Sequence, residues 1–198
     1  MRRFGFLRVL AWGLLFCLAA STTAWAKDNV VKLPDGMSIT LPESWKVKPK
    51  EEGGPLLLAF GTDGSGAQPF GMVMVNQVKL KAGEEALTQD KLGKLDPKAK
   101  ENFLAEMENN FRAEFGGDKS PLKIKAIIAR EIRNLNGFNA ASIAAELDSE
   151  GNEVILEANI IMFADRAVQF QVWCSKAQYE AHGQEVKDIV NSFVAGKN

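Results

Sequence analysis

The chain has 198 residues, with 24 basic and 25 acidic side chains and one histidine. So even a balance gives no basic footprint for nucleic acid and no cationic surface for an anionic membrane. Two cysteines and one histidine leave little for thiol, imidazole or zinc chemistry.

The first 26 residues have the order of a secretory signal peptide. Three arginines come first (Arg2, Arg3, Arg8), then the apolar run from Val9 to Ala20, then small residues ending at Ala26. The apolar run is 12 residues long, short of the roughly 20 that a spanning helix needs. The pattern predicts a signal peptide at 1–26 and one domain at 27–198. That domain carries 21 basic and 25 acidic residues, a net charge of −4, and has no transmembrane segment. It keeps only Cys174, so no internal disulfide can form. Cys174 alternates with Val168, Phe170 and Val172 and is read as a small core residue.

Two short strands, "VVKL" and "MSITL", flank the turn Pro34-Asp35-Gly36. "LPESWKVKPKEEGGP" then reads as a corner and loop. Pro42 ends the strand and Trp45 packs back as a structural pin. "LLLAF" and "FGMVMVNQVKL" form a further strand pair across the glycine-rich stretch "GTDGSGAQP". That stretch lacks the spacing and the lysine of a phosphate loop.

The period then changes. "KAGEEALTQDKLGKL" is weakly helical and broken at Gly93, and Asp96-Pro97 caps a firmer helix. Its stripe is Phe103, Leu104, Met107, Phe111 and Phe115, with Gly116-Gly117 as the stop. Four strands follow, joined by Asn136-Gly137, "DSEGN" and Asp165-Arg166, which makes an antiparallel meander. The second of these, "NAASIAAE", is small enough in side chain to let a helix approach. The chain closes on a helix with the stripe His182, Val186, Ile189, Val190 and Phe193, and Gly196 as its stop. The order predicts an α+β fold, an antiparallel sheet of about six strands sandwiched by helices.

Candidate chemistry is sparse. His182 falls on an apolar stripe, and no G-x-S-x-G elbow is present, so a hydrolase is poorly supported. "DSEGNEVILEAN" offers oxygens at Asp148, Glu150 and Asn152, but Glu153 and Asn159 stand where a calcium loop needs glycine and glutamate. No catalytic residue, metal or cofactor is assigned. A possible binding face is Gln169, Gln171 and Trp173 on the last strand together with Glu157 and Asn159 on the strand before it.

"ITLPESW", "NLNGFNA" and the terminal "DIVNSF" resemble segments of the PsbP-like superfamily, and among its members the bacterial DcrB-like envelope proteins. The resemblance runs over most of residues 30 to 195. It implies a PsbP-like α/β/α sandwich and protein binding without catalysis, as in an accessory subunit of the oxygen-evolving complex or a Ran-binding import factor. It carries over no ligand residue, and nothing in the chain points to photosynthesis. The resulting expectation is a non-catalytic extracytoplasmic or periplasmic domain that binds another envelope protein or assists its assembly. The alternative is a carrier of a small apolar or amphipathic ligand held between the sheet and the phenylalanine-rich helix.

Overall fold

The computed structural model describes residues 29–62, 69–80, 87–115 and 120–196. The signal peptide, the stop at Gly116-Gly117 and much of the glycine-rich stretch therefore lie outside the described residues.

Among the described residues, a seven-stranded antiparallel sheet organises the fold, in the order β3-β4-β5-β9-β8-β7-β6. These are β3 (Trp45–Val47), β4 (Leu57–Gly61), β5 (Gly71–Lys79), β6 (Leu122–Leu135), β7 (Phe138–Ser149), β8 (Asn152–Met162) and β9 (Arg166–Ser175). A separate two-stranded ribbon, β1 (Asn29–Lys32) with β2 (Ser38–Leu41), stands off the sheet. The expected six strands become seven because Trp45–Val47, read from sequence as corner and loop, pairs with Ala59–Gly61.

The meander forms as its turns require. Asn136-Gly137 and Glu150-Gly151 all have positive φ, the pattern of two-residue hairpins whose twist matches the strands. Asn134 and Asp148 lock these turns by accepting the amides of Gly137 and Gly151, each at 2.9 Å. The edge strand β6 carries irregularities between Ile124 and Ala126 and between Ile127 and Ala129, a common way to blunt an exposed sheet edge.

Helices cover both faces. On one lie α1 (Gln89–Leu92) and α2 (Pro97–Phe115), the latter capped by Asp96, which accepts the Ala99 amide at 2.8 Å. Phe111 and Phe115 of α2 pack with Ile143, Ala145, Leu147, Leu156 and Ala158. Alanines of β7 are thus where a helix comes close. On the other face α3 (Lys176–Ser192) buries Val186, Ile189 and Val190 against Val73, Val75, Val168, Phe170 and Val172, together with Met37, Ile39 and Leu41 of the ribbon. The Ser175 hydroxyl caps α3, and the helix kinks at His182, ahead of Gly183.

The end of α3 departs from expectation. The helix stops at Ser192, four residues before Gly196, because Val194 leaves it to bridge Ser38 of the ribbon. Gly196 serves that docking instead. It has φ 78°, and a side chain there would run into the Asp35 carbonyl.

Candidate protein-binding face

The cross-strand register separates the five residues expected to share a face. Glu157 lies opposite Val172 and Asn159 opposite Phe170, so both look toward α3. Gln169, Gln171 and Trp173 alternate with those residues and look toward α2. The combined polar face is therefore corrected to two opposite surfaces. Four of its members are buried, with Asn159 and Gln171 almost wholly enclosed, while Trp173 alone is partly exposed.

On the α3 side the polar pair belongs to a compact network. Arg133 of β6 donates to the Glu157 carboxylate and, at 2.7 Å, to the Asn159 side-chain oxygen, which also accepts from Ser142. The network floors a cleft of about 310 Å³ between α3 and the β6–β7 corner, walled by Tyr179, Lys187, Val190 and Asn191. Burial, then the nearby charge of Glu157, pushes the Tyr179 phenol above its ordinary pKa. Among the described residues, the Arg133 Nε and Asn159 Nδ2 atoms are sealed from solvent without a hydrogen-bond partner. This network pairs the Glu157 carboxylate with Arg133 and ties β6, β7 and β8 together on the α3 side.

Trp45 sits at the sheet's opposite corner, 6% exposed. Its ring packs edge-on to Phe70, with centroids 5.6 Å apart, and Phe70 in turn stacks on His182 at 4.7 Å. Pro42 closes the turn beneath, its carbonyl accepting the Trp45 amide at 2.9 Å. Cys174 is buried beside this corner, and burial together with Glu185 pushes its thiol up to about 11. Among the described residues, no group of three or more His, Cys, Asp and Glu side chains converges as a metal site would, and no helix is long and apolar enough to cross a membrane.

The sequence reading missed the α2-side face of β4 and β5. Each strand alternates fully buried residues with half-buried ones, and here the half-buried set is also apolar: Leu58, Phe60, Met72 and Met74. Leu58 faces Met74, Phe60 faces Met72, and Met72 faces Trp173, so the five are contiguous across three strands. Among the described residues, Leu58, Phe60, Met72 and Met74 join neither apolar cluster, whereas Trp173 touches the α2 cluster through Phe115, 6.3 Å away. Lys46 lies opposite Phe60 on β3, and the Lys48 ammonium sits 5.5 Å from the Phe60 ring centre. The result is an apolar patch bounded by Trp173 on one side and lysines on the other. Uninterrupted apolar runs such as "LLLAF" were the available signal: a strand apolar on both faces needs cover on both.

By sequence, the chain matches no protein-family model and no curated protein. By structure it is similar to cyanobacterial PsbP (CyanoP) from Synechocystis sp. PCC 6803, with a TM-score of 0.53 and 11% identity over 89% of this chain and 96% of that one. A protein from Bacteroides thetaiotaomicron VPI-5482 aligns with a TM-score of 0.52 and 13% identity, over 87% of this chain. The chain spans about half of that longer protein, 50% of its length. LpqN, involved in cell envelope biogenesis of Mycobacterium tuberculosis, aligns with a TM-score of 0.50 and 13% identity, over 84% of this chain and 88% of its own. Identities this low speak to architecture alone, and in architecture the chain has the PsbP-like α+β fold.

Proposed function

We propose that the chain is a non-catalytic domain that binds another protein of the cell envelope, or assists its assembly, outside the cytoplasm. The observation that carries this is the apolar patch of Leu58, Phe60, Met72, Met74 and Trp173, left half-buried on a face whose other half α2 covers. Contiguous apolar side chains that keep some contact with solvent are a common feature of protein-binding surfaces. Completing the burial of each large side chain would contribute on the order of 1 kcal/mol. Export is supported by the signal-like order of residues 1–26, and LpqN offers the parallel of a protein involved in cell envelope biogenesis on this fold. Catalysis is disfavoured because the single histidine, His182, is stacked on Phe70 and Cys174 is held as a thiol. A ligand-carrier role is weakened because Phe111 and Phe115 fill the space between α2 and the sheet.

The test is native mass spectrometry of the protein taken from its own envelope after mild cross-linking. A stoichiometric protein adduct is expected. A small discrete added mass in its place would make the chain a carrier and overturn the proposal.

A further inference from the structure

We propose that the cleft between α3 and the β6–β7 corner binds a small zwitterion of the α-amino-acid class, its carboxylate on Lys187 and Asn191 of α3 and its ammonium on Glu131 of β6. The cleft lies on the α3 side of the sheet and the apolar patch on the α2 side, so both can be occupied at once and this site stands independently of the protein-binding reading.

The charges select the ligand. The ionised side chains that line the cleft are Glu131, Arg133, Glu157 and Lys187. Arg133 and Glu157 neutralise one another on the floor. That leaves one anion on the β6 wall and one cation on the α3 wall. Among the described residues, neither Glu131 nor Lys187 forms an ion pair or a hydrogen bond. A ligand with a single charge matches one wall and leaves the other unmatched, whereas a zwitterion matches both.

The donors are placed for a carboxylate. Lys187 and Asn191 are four residues apart on α3, so they present to the same stretch of wall. Arg133 commits Nη2 to Glu157 and Asn159, while among the described residues its Nη1 is neither hydrogen-bonded nor sealed, which leaves a further donor at the floor. Asn136 occupies the carbonyls of Asn191 and Phe193, so the end of α3 presents fewer bare acceptors to a carboxylate. Glu131 and Arg133 point from the same face of β6, two residues or about 7 Å apart along the strand. An α-amino acid carries its two charges that close together.

Size and lining limit the rest of the ligand. At about 310 Å³ the cleft stands at the small end of ligand pockets, which begin at about 300 Å³. Beyond Glu131, away from Arg133, it is lined by Ala129, Ala144 and the exposed Ile128, with the Tyr179 ring on the α3 wall. An uncharged apolar side chain such as that of leucine suits that end.

Tyr179 is the single tyrosine of the chain, so its ring signals report on the cleft alone. The full chain with isotope-labelled tyrosine rings and methionine methyls is titrated with leucine, with isocaproate, which keeps only the carboxylate, and with isoamylamine, which keeps only the amine. Leucine should shift the Tyr179 ring, leave Met37 and Met74 unmoved, and bind about tenfold more tightly than either analogue. Lys187→Met should bring leucine down to the affinity of isoamylamine, and Glu131→Gln to that of isocaproate. Both residues are exposed, so both variants should keep the fold, which an unmoved Met37 signal verifies. The absence of any shift with leucine overturns the proposal, and so does equal affinity for the three compounds. Isocaproate binding as tightly as leucine would make the cleft an anion site and overturn it, as would leucine affinity that neither variant changes. Leucine bound by a chain that captures no envelope protein leaves this site standing and sinks the protein-binding reading alone.

Discussion

The indole of Trp45 donates to the carboxylate of Glu185 at 2.7 Å, joining the sheet's first strand to its last helix across 140 residues of chain. Gly61 and Gly71 make this possible: a side chain at Gly61 would meet the Phe70 and Trp45 rings within 2.9 Å, and one at Gly71 would meet the Trp45 ring at 3.1 Å. Trp45→Ala should therefore cost about 3 to 5 kcal/mol in urea unfolding. Trp45→Phe, which keeps an aromatic ring but not the N–H, should cost about 1 to 2 kcal/mol. Gly61→Ala should fall between them, because neither ring can retreat without moving the other. A Trp45→Ala protein of native stability would show that the corner holds nothing together.

Asn136 does two jobs at one position. Its φ of 49° forms the hairpin turn, and its side chain donates to the Asn191 and Phe193 carbonyls at 2.7 and 2.8 Å, closing the end of α3. Replacement by alanine loses both contributions and should cost about 2 kcal/mol. Asn136→Gly restores the turn and loses only the hydrogen bonds, so it should recover part of that loss. Equal stability of the two variants would mean that the backbone contribution is negligible. Denaturant midpoints decide it.

The same contrast marks what the sequence could and could not reveal. The Asn136-Gly137 turn, the Asp96 cap and the α3 stripe were legible because each depends on neighbours within a few residues. The pairing of Trp45–Val47 was not, since a three-residue strand has no period to read. Faces were harder still. Glu157 and Gln171 each lie on the polar side of their own strand, but only the register, with Glu157 opposite Val172, shows that those sides point oppositely. The patch at Met72 and Met74 escaped for a related reason: alternation cannot show which apolar face has a helix above it.

Arg133 and Glu157 form a partly buried pair, with side-chain exposures of 25% and 11%. Removing one member strands the other, and Glu157→Ala or Arg133→Ala should each cost about 3 kcal/mol. The double substitution Arg133→Met, Glu157→Leu should cost much less than the sum of the single changes, because no charge is left unpaired. A double-mutant cycle in which the losses simply add would show that the two charges are not coupled.

Glu114 sets an expected pH dependence. Burial near the end of α2 raises its carboxyl from an ordinary value of 4.5 to about 7. Below pH 4.5 the group is protonated in both folded and unfolded chains and contributes no slope. As pH rises from 4.5 to 7 the unfolded chain releases this proton first, so the folded state binds more protons and stability falls. Above 7 the loss is complete. It should amount to about 1 to 2 kcal/mol, since solvent screens a half-buried carboxyl. Glu114→Gln removes the titration, so urea unfolding should show the variant gaining on the natural chain between pH 5 and pH 8. Parallel stability profiles across that interval would mean that Glu114 ionises freely in the folded protein.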